Sequence, residues 1–152
     1  MTISDLQRVL EASIRAANPL MRELLEENHW DATEIQGYIN RTRDITIATV
    51  LLDGRPHAAS VIGACVDGLI HFSVSFGSAL LANLRRSPWV AFTVTGGDHV
   101  VMGRGHAELV SRSREAPDLL RKLSEATHLG RFTPEGWDGL IYAIDVERIF
   151  GS

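Results

Sequence analysis

The apolar positions of this chain change period once, near residue 44. Before that point Leu6, Val9, Leu10, Ile14 and Ala17 recur three and four residues apart, the spacing of one helix face. Ser4 followed by Gln7 predicts a capping box at its start. Asn18-Pro19 ends this helix and opens a second, with Asn18 as cap, Pro19 in the first turn, and Leu20, Met21, Leu24 and Leu25 along it. Asp31 and Glu34 repeat the capping pattern ahead of Ile35, Tyr38 and Ile39. Residues 1–43 therefore read as a helical segment.

From Asp44 the pattern is that of strands. Ile45, Ile47, Thr49 and Leu51 alternate with Thr46, Ala48, Val50 and Leu52, a β-branched run expected to be buried on both faces. Asp53-Gly54 supplies residues that tolerate positive φ and predicts a hairpin. The return strand, 56–66, is built of small residues: Ala58, Ala59, Ser60, Gly63 and Ala64. Small side chains let a flat ligand lie along a strand, or make room for bulky neighbours. Asp67-Gly68 turns into a strand over 69–75. Leu80, Leu81 and Leu84 give 78–86 helical spacing, stopped by Ser87-Pro88. Residues 89–95 and 100–110 pair across Gly96-Gly97-Asp98, a helix is predicted over 114–127, and 141–146 forms a last strand. Gly103-Arg104-Gly105, inside a strand, marks a bulge or a close backbone approach.

Composition narrows the class. At 152 residues, 45% hydrophobic and 22% charged, the chain suits one domain, residues 1–152, with the barrel-type strands over 44–152. A net charge of -4 argues against a broad footprint on nucleic acid or anionic membrane, and Arg85-Arg86 is only a pair. MTISDLQRVL lacks a positive-then-apolar leader, and no apolar run nears the roughly 18–20 residues of a membrane span, so a soluble, cytoplasmic protein is expected. Cys65 is the sole cysteine and is expected to be a buried thiol. The six histidines show no i, i+4 pair; His57, His71 and His106 fall on predicted strands, and no metal site is expected. No nucleophile elbow or paired carboxylates appear, since Asp53, Asp67 and Asp98 are turn residues.

Several short matches fall in one order. Ala48-Thr49-Val50, Asp53-Gly54 and Arg55-Pro56-His57 form a first hairpin; Asn83-Leu84-Arg85-Arg86 and Pro88 end a helix; Val90 to Val94 and Gly105 to Leu109 follow as strands. In this order and spacing, over about half of the chain, they resemble the pyridoxamine 5'-phosphate oxidase-like flavoproteins. The resemblance implies a mainly β fold with helices (α+β): a split β-barrel of about six antiparallel strands, with N-terminal helices and a short helix between strands.

It further implies a homodimer that holds FMN or the deazaflavin F420 at the subunit interface. By carry-over His57, Ala59, Ser60 and Val61 lie at the flavin edge, and Ser73, Val74, Ser75, Phe76, Ser78 and Leu80 at the phosphate. Where the family commonly has threonine, arginine and lysine, this chain has Val74, Phe76 and Leu80. A phosphate dianion needs charge-assisted donors to offset its desolvation. Ser73, Ser75, Ser78, the amides opening the 78–86 helix, and Arg41, Arg43, Arg85 or Arg86 are the available replacements. His57 is the one polar side chain expected beside the ring, as hydrogen-bond donor or substrate orienter. The implied activity is a small oxidoreductase moving hydride between FMN or F420 and an organic molecule. The alternative is a barrel without phosphate-bearing cofactor that binds or transforms an apolar small molecule, favoured by Val74, Phe76 and Leu80.

Overall fold

The computed structural model describes residues 1–128 and 130–152. Three helices, α1 (Ile3–Ala16), α2 (Pro19–Asn28) and α3 (Ala32–Thr42), precede the sheet. The cap of α1 is Thr2, whose hydroxyl accepts from the Asp5 amide while the Asp5 carboxylate accepts from the Thr2 amide, so the cap lies two residues before the predicted Ser4. Asn18 and Asp31 cap α2 and α3 as expected, the latter in a full capping box with Glu34.

Six antiparallel strands follow: β1 (Asp44–Val50), β2 (Pro56–Val66), β3 (Leu69–Ser75), β4 (Trp89–Gly96), β5 (His99–Arg112) and β6 (Gly139–Gly151), closed in the order β1-β2-β3-β6-β5-β4. Helix α4 (Ala79–Arg86) joins β3 to β4, and α5 (Pro117–Thr127) follows β5 after a tight turn, Ser113–Glu115. The helix predicted over 114–127 is divided there because Pro117 sits at the first position of α5. No helix among the described residues is long and apolar enough to cross a membrane.

The β1 side chains alternate: Ile45, Ile47 and Thr49 are buried, whereas Thr46 and Val50 are exposed. The expectation of burial on both faces is thus corrected; the strand has one core face, turned into the barrel. There Ile45 and Ile47 meet Phe72, Phe92, Ile144 and Ile149, with Leu6, Leu10, Ile35 and Ile39 of the helices joining the same core. Polar ties fix the helices to the sheet. Asn40 bonds both the amide and the carbonyl of Cys65, at 2.7 and 2.9 Å, and the Ser13 hydroxyl accepts from the Ile149 amide at 3.1 Å. Cys65 is buried, and burial pushes its thiol up to about 12.

Asp67 and Gly68, both at positive φ, make the two-residue turn between β2 and β3. At the Gly103-Gly105 segment a register shift lies between Arg104 and Gly105, and a Cβ on Gly105 would stand 2.1 Å from the Asp145 carbonyl oxygen. The close backbone approach expected there is present.

Outside the barrel, α5 and the segment after it lie over β2 and β6, where Leu123 and Phe132 pack with Ala64 and Ile141. His71, on the same outer face of β3, is 5% exposed, with Nδ1 3.0 Å from the Leu69 carbonyl oxygen. Burial lowers its pKa below the ordinary 6.5. The unfolded chain then takes up this proton near 6.5 and the folded chain only below it. His71 therefore costs nothing above pH 6.5, and its penalty grows as pH falls from there. Urea midpoints measured from about pH 7 to pH 5 should decline less steeply for His71→Gln than for the wild type. Parallel slopes would contradict this account of His71.

Candidate functional site

The site grows out of the way β2 and β3 pair. Residues Gly63–Val66 of β2 pair with Leu69–Phe72 of β3, and no further. Before Gly63, β2 pairs only with β1; after Phe72, β3 pairs only with β6. The two strands therefore diverge from Ile62 and Ser73 onward, and each presents an edge with no neighbouring strand to satisfy it. Unpaired strand edges offer rows of amides and carbonyls to whatever lies between them.

A cavity of about 370 Å³ fills this split. Its lining includes Ala59, Ser60, Val61 and Ile62 from β2, Ser73, Val74 and Ser75 from β3, and Ser78 and Leu80 at the start of α4. Phe132, Thr133, Pro134 and Trp137 close it from outside. Its size falls within the range of small-molecule and cofactor sites. The strand alternation explains the division of labour. Ala59 and Val61 pack toward the core with Ile47 and Ile45, so they offer the cavity backbone and little side chain, while Ser60 is exposed on the outer face. Val74 and Leu80 are 1% and 3% exposed and belong to the barrel core. Ser78 is partly committed, its hydroxyl accepting from the Leu81 amide at 3.1 Å as the cap of α4.

Two of the expected residues are not brought to the lining. His57 faces the same side of the sheet as Thr49, its partner across β1, and its buried Nδ1 has no hydrogen-bond partner. Phe76 is 46% exposed beyond the end of β3, with the Arg112 guanidinium 5.4 Å above its ring. His57 lies farther along β2 than Ala59 and Val61, and Phe76 lies past the end of β3, so both fall outside the stretch of strand edge that the cavity follows. The sequence reading missed Phe132, Thr133 and Pro134, because residues 130–138 have neither helical nor strand periodicity to place them.

Among the described residues, no charged side chain lines the cavity. Of the cations considered as replacements, Arg86 is engaged at the barrel end, donating to the Val50 carbonyl at 3.1 Å and to Asn83 Oδ1 at 2.6 Å, and Arg41 lies beside a different cavity with Gln36 and Asn40. Charge appears only outside the lining. Arg112 donates through Nε and Nη2 to both carboxylate oxygens of Asp138, which follows Trp137, and Arg114 Nε lies 3.5 Å from the same carboxylate. Hydrogen bonding from Arg112 holds Asp138 below the usual carboxylate range. Among the described residues no group of three or more histidine, cysteine, aspartate or glutamate side chains could hold a metal ion.

The lining fits the ring half of a flavin: a slot between two open strand edges, small residues along one side and an aromatic cover on the other. For a phosphate it supplies neutral donors only.

No curated protein matches the sequence. Among solved structures, a conserved hypothetical protein from Mycobacterium tuberculosis is 28% identical, with 78% of this chain and 82% of that one covered at a TM-score of 0.61. An FAD binding protein from Mycobacterium smegmatis is 18% identical over 82% of this chain and 96% of that one, TM-score 0.62. A protein named F420 reductase is 22% identical over 75% of this chain and 94% of that one, TM-score 0.59. The last two establish likeness of fold. The family model described as pyridoxamine 5'-phosphate oxidase matches residues 32–149, which takes in α3, the whole barrel except its last two residues, and every residue of the cavity. With the six-stranded split barrel and that match in hand, the chain belongs to the pyridoxamine 5'-phosphate oxidase-like family.

Proposed function

We propose that this protein binds the tricyclic ring of a flavin or deazaflavin in the split between β2 and β3 and serves as a small oxidoreductase. FMN and F420 are the two forms of that ring considered. The observation that carries the reading is the pair of unsatisfied strand edges facing one cavity. The pyrimidine edge of such a ring alternates hydrogen-bond donors and acceptors, which is what a strand edge can answer. Fold relatives named as an FAD binding protein and an F420 reductase agree with it.

When bound, the ring itself supplies hydride chemistry, and the protein's share is position and electrostatics. Ser60 and the backbone of 59–62 would hold the ring against β2. Ser73 and Ser75 would donate to its polar substituents, and Phe132, Pro134 and Trp137 would keep water from one side. The lack of an acid-base pair in the cavity suits this division, because no residue there needs to carry the proton inventory.

The ring reading is tested by titrating purified protein with riboflavin, FMN or reduced F420 and following ring fluorescence. Saturable quenching by at least one is expected. A second reading, an uncharged apolar ligand in the same cavity, is favoured by the absence of charge from the lining. It predicts that riboflavin, with no phosphate, binds at least as well as FMN.

The protein also acts as a homodimer. On the outer face of the barrel Ala48 pairs with both Ala58 and Ala91, giving a flat patch of small residues, and Val50 and Trp89 on the same face are each 53% exposed. Apolar side chains grouped in this way mark an interaction surface. Light scattering at micromolar concentration should give about 33 kDa, twice the 16.7 kDa chain. A mass of one chain would remove the dimer from the account.

A further inference from the structure

The cavity's serine end has no cation in its walls, yet two arginines stand just outside it. Ser75, at the end of β3, pairs with Gly139, the residue after Asp138. Asp138 binds Arg112 through both carboxylate oxygens and also has Arg114 at 3.5 Å, so two guanidinium groups share one carboxylate. Glu115, the other carboxylate near Arg112, forms an ion pair with neither arginine among the described residues. Arg112 is aimed back toward β3, its guanidinium 5.4 Å over the ring of Phe76, the residue after Ser75. Both arginines are largely exposed, with 44% and 68% of their side chains open to solvent, and Arg114 also lines a second cavity that shares Phe132, Thr133, Pro134 and Trp137 with the first.

We propose that Arg112 and Arg114, carried on the turn between β5 and α5, form the anion-binding end of this ligand site. They supply the charge absent from the β3–α4 connection. The inference rests on the ring reading above and adds the chemistry of the ligand's other end: a phosphate or similar anion next to Ser75 and Ser78, gripped by guanidinium groups now shared with Asp138. Phe76 acts as the platform that turns Arg112 toward that end, a role open to an aromatic residue and not to the basic residue common at this place in the family. Planar guanidinium groups suit bidentate recognition of phosphate.

FMN and riboflavin share the ring and differ by the phosphate, so their affinities separate the two claims. In wild-type protein FMN should bind at least tenfold more tightly than riboflavin, a difference of about 1.4 kcal/mol, and the gap should narrow as salt rises. In the double variant Arg112→Gln, Arg114→Gln the FMN advantage should disappear while riboflavin affinity stays within about twofold. Asp138→Asn frees both arginines and should widen the FMN advantage. Equal affinities for the two flavins in the wild type, or a double variant that keeps the FMN advantage, would overturn the arginine site and leave the ring reading standing. A double variant that loses both flavins equally would show a structural role for the Arg112–Asp138 pair and would also overturn it. If neither flavin nor reduced F420 binds the wild type, the ring reading fails, and this inference fails with it.

Discussion

Gly105→Val should be the most damaging single substitution on the strands that build the barrel. The added Cβ would stand 2.1 Å from the Asp145 carbonyl oxygen and 3.0 Å from the Val146 Cα, so it meets backbone, which cannot rotate out of the way. The position lies at the register shift between β5 and β6, the longest ladder of the barrel. Relief would require the two strands to separate there, at the cost of neighbouring hydrogen bonds. Overpacking of an ordinary core costs about 1–3 kcal/mol, and backbone contact places this case at or above the top of that range. Against a total of about 5–15 kcal/mol, a loss of about 3 kcal/mol lowers Tm by roughly 6–12 °C. Gly37→Ala provides the contrast. Gly37 lies inside α3, and its new Cβ would meet only the tip of Arg41, at 3.2 Å, so the gain in helix propensity of up to about 1 kcal/mol should appear as a raised Tm. Thermal melts of the two variants should move in opposite directions. A Gly105→Val protein that melts with the wild type would mean that the β5–β6 approach is looser than the structure has it.

Ser60→Trp should abolish ligand binding without unfolding the protein. Ser60 is exposed on the outer face of β2, opposite Thr46, and it lines the cavity. An aromatic residue is well accepted at an exposed strand position. Its indole would occupy the space assigned to the ring, so flavin affinity should fall at least a hundredfold, about 2.8 kcal/mol, with Tm changed by only a few degrees. Ser60→Ala keeps the space and removes one hydroxyl, and should cost about 0.5–1.5 kcal/mol of binding at most. Undiminished flavin binding by Ser60→Trp would place the ligand elsewhere.

Much of this architecture was legible because local rules and tertiary packing agree. Asp67-Gly68 can adopt the positive φ that its two-residue turn demands, and Asn18 and Asp31 cap helices wherever those helices pack. The alternation of Ile45, Ile47 and Thr49 marks the core face of β1, although the apolar residues between them suggested a second buried face; they lie on the outer surface assigned here to the dimer. The bounds of β5 and β6 were read too short, because the irregularities at Arg104/Gly105 and Leu109/Ser111 break the alternation that periodicity relies on. At the site, the β2 and β3 residues were legible through the resemblance. The cover at 132–137 and the pairing of Arg112 with Asp138, twenty-six residues apart, depend on how the chain returns over the barrel, for which no local pattern exists. His57 shows the limit from the other side: chemically it is the obvious polar candidate, yet it lies farther along β2 than Ala59 and Val61, on their face and opposite Thr49, outside the cavity lining.

The most direct test of the account is a fluorescence titration of wild-type and Ser60→Trp protein, side by side, with riboflavin, FMN and reduced F420. The account predicts saturable binding of at least one of these ring systems by the wild type, at one ring per chain, and its loss in the Ser60→Trp variant. Failure of all three to bind the wild-type protein would contradict it.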